Sequence, residues 1–299
     1  MSIYQLTNDF LTLEVSSAGA ELCSITGADG TEYMWNADPK YWKRHSPVLF
    51  PVVGNFNQKQ FLYNGEKWPM GQHGFARDME FDLIHQSCES LSFILNSNDE
   101  TRKLYPMEFS LRISYTLREN EILTEWQVMN PGKEELHFSI GAHPAFYCPL
   151  AGNGAQADYS IDLHTDASKL TCGVLTSEGV LSEEQVVYPL ENGRLQLTEH
   201  LFDRDALIVE GDNIHKLSLC LPNRKPYITM DFDAPLFGIW SPAGKQAPFV
   251  CLEPWYGRAD RASFHDDVSK REYGTTLKPS ETFQASYSMR FFPVNSSAK

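Results

Sequence analysis

Period-two strands, closely spaced turn signals and little helical periodicity predict an all-β fold, a large antiparallel β-sandwich. The alternation is clearest where Phe109, Leu111, Ile113, Tyr115 and Leu117 interleave with Ser110, Arg112, Ser114 and Thr116. Such a strand is apolar on one face and polar on the other, as a sheet packed on one side requires. Asp29-Gly30, Asn64-Gly65, Asn130-Pro131-Gly132, Asn153-Gly154 and Asn192-Gly193 supply the turns between strands.

Along the chain, strands are expected at 11–15 and 20–25, then a single helical turn after a cap from Asp38 to Arg44. Further strands follow at 80–84 and 91–95. The 109–117 strand turns at Glu119-Asn120-Glu121 into a partner from Ile122 to Met129, a hairpin. Segments 135–140, 194–198, 205–210, 216–221, 226–232 and 236–240 read as further strands. The apolar run Phe249-Val250-Cys251-Leu252 reads as a buried strand that delivers Glu253 at its end, with Pro254 and two aromatics stopping it. Asp260 to Tyr273 is charged and lacks an apolar stripe. Phe283, Ala285, Tyr287, Met289 and Phe291 repeat the alternation, and Val294 to Lys299 reads as a frayed tail. With no linker, repeat or low-complexity stretch, residues 1–299 are expected to form one domain.

The 299 residues are 42% hydrophobic and 21% charged, an ordinary globular balance, and carry a net charge of −14. That charge argues against nucleic acid or an anionic membrane as the main partner. No apolar stretch approaches the roughly 20 residues of a membrane span. The opening Met1-Ser2-Ile3-Tyr4-Gln5 lacks the basic and apolar regions of a signal peptide, so a cytoplasmic location is expected. Cysteines 23, 88, 148, 172, 220 and 251 are scattered singly, which favours buried reduced thiols over disulfides or zinc ligands.

Three clusters set one titratable side chain each among glycine, proline and aromatic residues. They are Gln72-His73-Gly74-Phe75-Ala76-Arg77, Gly141-Ala142-His143-Pro144-Ala145-Phe146 and Cys251-Leu252-Glu253-Pro254-Trp255. Two imidazoles, a carboxylate and a guanidinium are the set needed to move a proton between two oxygens of a small polar substrate. A carboxylate on a buried strand is desolvated and hence more basic, although a structural salt bridge would use the same position. His143 could equally be a core histidine, and His73 an exposed loop residue. Arg44 and Arg77 suit sugar hydroxyls or phosphate oxygens, or surface ion pairs such as Arg77 with Asp78. Phosphate loops, zincin histidine pairs and a serine elbow are absent from the sequence.

In their order and strand context these clusters resemble the aldose 1-epimerase (galactose mutarotase) family, with the closest likeness to its LacX-like branch. The likeness runs from Leu11-Thr12-Leu13-Glu14-Val15 and Gly19-Ala20-Glu21-Leu22 through Trp35 and Pro47 to Asn55. It continues through His73 to Arg77, His143 to Phe146, Phe202 to Val209, Gly238 to Ser241 and Glu253 to Trp255. The resemblance implies a galactose mutarotase-like supersandwich that interconverts α and β anomers of an aldose without metal or organic cofactor. It implies Glu253 as base, His143 as acid and His73 as a second active-site histidine. Asp205, or else Asp203, would position the sugar, with Asn55 retained and the arginine role passing to Arg44. Trp240, Trp255 or Phe146 would pack on the sugar. Arg44 and Arg77 together also resemble the hexose-6-phosphate branch, and a non-catalytic sugar binder on the same fold is the competing class. The implied partner is a small sugar, phosphorylated or not, bound by a monomer or homodimer.

Overall fold

The structure is a computed structural model that describes residues 1–211 and 213–294. Two large antiparallel sheets face each other, as the alternation requires. The hairpin Ser110–Arg118 and Glu121–Met129 forms in register from Met129↔Ser110 to Glu121↔Arg118. The strand Thr282–Phe291 adds to its other edge, pairing Met129 with Thr282 and Glu121 with Arg290. These three are the middle of a nine-stranded sheet.

The second sheet has eight strands, and the strand Phe249–Tyr256 lies near its centre. Leu236–Trp240 pairs along one edge of that strand. The short strands Ile140–Ala142 and Ala145–Tyr147 pair along the other. Main-core residues come from both sheets: Leu111, Ile113 and Met289 from one, and Leu207, Ile239, Val250 and Leu252 from the other, each at most 3% exposed. The outer face of the eight-stranded sheet carries two smaller apolar clusters, one around Leu49, Ile208 and Trp255 and the other around Trp35, Phe249 and Cys251. Alternate residues of Phe249–Tyr256 therefore serve two layers.

Several elements differ from the sequence reading. The strand Phe249–Tyr256 runs through Pro254, so Glu253 lies inside it and not at its end. Pro254 pairs with Phe237 on one edge, and on the other it falls in the break between the Gly141↔Trp255 and Ala145↔Cys251 pairs, where no ladder bond is lost to its missing N–H. Strands Ile3–Thr7, Lys169–Leu175 and Leu181–Pro189 add to those expected, and Gln60–Tyr63 pairs with Glu66–Pro69 around the predicted Asn64-Gly65 turn. The segment near residue 20 starts its strand only at Leu22, because Ala20 has φ +47°. The α-helix among the described residues, Asp99–Leu104, was not expected. Asn98 caps it by accepting from the Glu100 and Thr101 N–H groups.

Asp38 to Trp42 makes the single turn expected there, and Asp260 to Tyr273 contains a short 3-10 turn at Val268–Lys270. Cys148, Cys172, Cys220 and Cys251 are buried, whereas Cys23 is half-buried and Cys88 exposed, so wholly buried thiols hold at four positions. No helix among the described residues is long and apolar enough to cross a membrane. Of the expected tail, residues 295–299 lie outside the described residues.

Candidate active site

The register of the central strand builds the site. Gly141 pairs with Trp255, and beyond a short break Ala145 pairs with Cys251. The same register on both sides of the break puts His143 opposite Glu253. Their side chains meet there, with His143 Nε2 3.3 Å from Glu253 Oε2. On the other edge Glu253 faces Gly238, whose missing side chain leaves room that the Trp255 ring fills. Glu253, 1% exposed, and His143, 7% exposed, form the floor of a pocket of about 230 Å³.

The second imidazole arrives on a loop. Gly74 packs so closely on Phe50 that a Cβ would lie 2.2 Å from the Phe50 carbonyl oxygen, which only glycine permits. His73 is held beside it with φ +64°, uncommon for a non-glycine residue. Reciprocal bonds to Gly54 hold it: the His73 N–H donates to the Gly54 carbonyl at 2.8 Å, and Nδ1 accepts from the Gly54 N–H at 3.1 Å. With Nδ1 accepting, Nε2 carries the proton of the neutral ring. The ring stands edge-on to His143, centroids 5.7 Å apart.

Aromatic walls complete the cavity. Trp42 stacks on the His143 ring at 4.7 Å and 28°, and Trp240 meets it edge-on at 5.4 Å. Trp42 is fixed from behind, since its carbonyl accepts the Trp35 indole N–H at 2.9 Å and Trp35 packs on Phe249. Trp255 lies across two neighbouring strands. A Cβ at Gly238 would come within 2.3 Å of its six-membered ring and one at Gly141 within 2.6 Å of Cδ1. Two glycines thus make the seat for one indole.

Polar atoms of the pocket lack partners. Both Glu253 oxygens, His143 Nδ1, Trp255 Nε1 and Arg77 Nε are buried without a hydrogen bond. Buried polar atoms are nearly always satisfied, so a cluster of orphans in one cavity marks a place for a ligand. The electrostatics agree. Burial, then the Asp205 charge, holds the Glu253 carboxyl well above its ordinary range, with the Trp255 indole acting against both. Burial, then the Arg77 and Arg44 charges, pushes His143 down to about 3. Burial and the neighbouring His143 also hold His73 well below its usual value. The pocket therefore favours a neutral carboxylic acid beside a neutral imidazole.

His73, Arg77, His143, Asp205, Trp240, Glu253 and Trp255 all line this pocket. Asp205 lies there with φ +72°, whereas Asp203 lies outside it, paired with His200 at 3.0 Å. Three expectations are corrected. Asn55 does not line the pocket; its amide donates to the Gly179 carbonyl at 3.2 Å and braces a turn that does. Arg44 stands behind the wall, bound to Asp78 at 2.8 Å, while Arg77 Nε lies 3.9 Å from the same carboxylate. Phe146 faces the main core, 6.3 Å from the Phe291 ring, because its strand position points between the sheets.

Trp42, Gln72, Leu175 and Gly179 also line the pocket and were missed. The signal for Trp42 was its position two residues before Arg44 in an aromatic segment. Among the described residues, two sets of groups bring three donor atoms within 4.8 Å of one another: His143, Cys251 and Glu253, and Glu21, Cys23 and His45. In the first set burial raises the Cys251 thiol as well, so all three groups are held uncharged and offer a cation little attraction. In the second, one Glu21 oxygen already accepts the His45 and Ser46 N–H groups, and burial pushes Cys23 up to about 12.

A sequence model of the aldose 1-epimerase family matches residues 2–290. The plasmid and chromosomal LacX proteins of Lactococcus lactis subsp. lactis are each 34% identical over 293 residues, 95% of this chain and 97% of theirs. A galactose mutarotase related enzyme from Lactobacillus acidophilus has a similar structure, with TM-score 0.91, 34% identity and full coverage of both chains. A galactose mutarotase-like protein from Lactobacillus casei superposes with TM-score 0.90 at 32% identity, covering 97% of this chain and 100% of that one.

Proposed function

This chain belongs to the aldose 1-epimerase family, and on that premise we propose that it interconverts the α and β anomers of a hexose by acid–base ring opening and closure. The observation that carries the proposal is the buried Glu253–His143 pair, 3.3 Å apart with unpartnered atoms facing a sugar-sized cavity. A protein that only binds sugar needs polar contacts, but it has no use for an acid and an imidazole in direct reach of each other.

The pair holds one proton to share. Moving it across the gap from the carboxyl to His143 gives a carboxylate beside an imidazolium. Glu253 then takes the proton from the C1 hydroxyl while His143 gives its proton to the ring oxygen, and the C1–O5 bond breaks. The pair returns to the neutral form that burial favours, so the open-chain aldehyde is held against an uncharged floor. Rotation about C1–C2 presents the other carbonyl face, and the reverse transfers close the ring. The net charge of the pair is constant throughout, which suits a site with little water to screen it. The Nε2–H of His73 would hydrogen-bond sugar oxygen, Asp205 would accept from a hydroxyl, and Trp42 and Trp240 would receive the apolar face of the ring. Each proton transfer of this kind is worth about 10²–10⁴-fold.

The test is NMR exchange between anomers over a panel of free and phosphorylated hexoses, with and without a chelator. Accelerated exchange of at least one aldose that survives chelation is expected. No exchange across the panel, together with saturable sugar binding, would favour the non-catalytic reading.

A further inference from the structure

Once its proton has passed to His143, the Glu253 carboxylate has two oxygens to satisfy, and neither has a hydrogen-bond partner apart from the His143 contact at 3.3 Å. A candidate is the residue two positions on. Residues two apart on a strand share a face, so Glu253 and Trp255 both point into the pocket. The indole is buried, and its Nε1 has no acceptor. Its orientation is fixed by Gly141 against Cδ1, the carbon next to Nε1, and by Gly238 under the six-membered ring. A hydrophobic wall alone would not require two glycines on two different strands to place the indole edge.

We propose that Trp255 is a positioning residue whose indole N–H donates to Glu253 and holds it as a carboxylate while the sugar gives up its C1 proton. The inference rests on the acid–base reading given above. Other groups acting on Glu253 are His143, Asp205 and the Cys251 thiol, with Arg77 and Arg44 acting on His143. Asp205 and burial favour the protonated acid; His143 exchanges the shared proton with Glu253, whereas the indole is a neutral donor that favours the anion without taking that proton. Its effect on the Glu253 proton affinity is in that direction. Without it the shared proton would stay on Glu253 for more of the time, and the plateau rate would fall.

The test replaces Trp255 with phenylalanine and, separately, with benzothienylalanine, in which sulfur stands where the N–H was and the shape is kept. A charge-assisted hydrogen bond is worth about 1.5–3 kcal/mol, so the plateau of kcat should fall about 10- to 100-fold in both variants with KM little changed. The alkaline limb of kcat/KM should move to higher pH in both. The Glu253 carboxyl carbon, followed by NMR titration and assigned with Glu253→Gln, should ionise at higher pH without sugar present. If the benzothienyl variant matches wild type in rate, pH profile and titration, the indole is only a wall and the inference is overturned. If Glu253 titrates as expected but the wild type exchanges no anomers, the inferred N–H contact survives and the mutarotase reading fails.

Discussion

At the scale of single residues, the proposed roles predict distinct kinetic signatures. Glu253→Gln keeps shape and part of the hydrogen bonding, so it should lose about 10²-fold or more in kcat with sugar affinity largely retained. His143→Asn should behave alike, and the double variant should be little worse than either single one, because the two share one proton. Near-wild-type turnover in Glu253→Gln would remove the base from the proposal. His73→Asn should be milder, raising KM as well as slowing turnover. The pH profile separates the imidazoles from ordinary ones: with His143 down at about 3 and His73 also held low, neither imidazole should contribute an inflection near 6.5, and any limb above 4.5 should belong to Glu253. Glu253, His143 and His73 were legible in the sequence because each sits where glycine or proline would admit a ligand. Trp42 was not, since its stacking on a residue about a hundred positions away depends on a tertiary fold that local pattern does not encode.

At the scale of elements, the glycines of the flanking strands are the sensitive positions. Gly238→Ala would place a carbon 2.3 Å from the Trp255 ring, so either the indole or the strand must shift. Overpacking of this kind costs about 1–3 kcal/mol. The expected result is a lower denaturation midpoint together with reduced turnover, whereas Gly30→Asn, at an open turn with φ +82°, should leave turnover unchanged. A wild-type rate in Gly238→Ala would show that the indole seat is not needed. The alternating strands of the nine-stranded sheet were readable because one face is polar. The central strand was misread at its end, since a strand buried on both faces shows no alternation and Pro254 looked like a stop. Asn55 shows the same limit: the family resemblance implied a ligand contact, but only the fold reveals that it braces the turn at Gly179.

At the scale of the molecule, charge and pH set two expectations. A carboxyl held above 4.5 in the folded state and near 4.5 when unfolded stabilises the fold below pH 4.5, and that contribution is lost as pH rises towards the folded value. His143 works in the opposite sense, destabilising the fold as pH drops from 6.5 towards about 3. Relative to Glu253→Gln, the wild type should therefore lose stability above pH 4.5, with a slope of up to about 1.4 kcal/mol per pH unit. Equal slopes in the two proteins by urea denaturation would mean that Glu253 ionises normally. The net charge of −14 also bears on the substrate. A phosphorylated hexose must be held by Arg77, whose Nε lacks an acceptor, because Arg44 is already bound to Asp78. We expect kcat/KM to favour free glucose or galactose over their 6-phosphates, with Arg77→Gln weakening the free sugar. A preference for the phosphates that collapses in Arg77→Gln and fades with added salt would reverse this.

The strand Phe249–Tyr256 gives one face to the pocket and the other to the main core, with Glu253 and Trp255 on the first and Val250 and Leu252 on the second. A slip of one residue would exchange the two faces and thrust the carboxylate between the sheets. Such a chain would lose its catalytic carboxylate and its core packing together, so a register error cannot yield a stable but inactive copy. The strand that carries the chemistry is in this way its own proofreader.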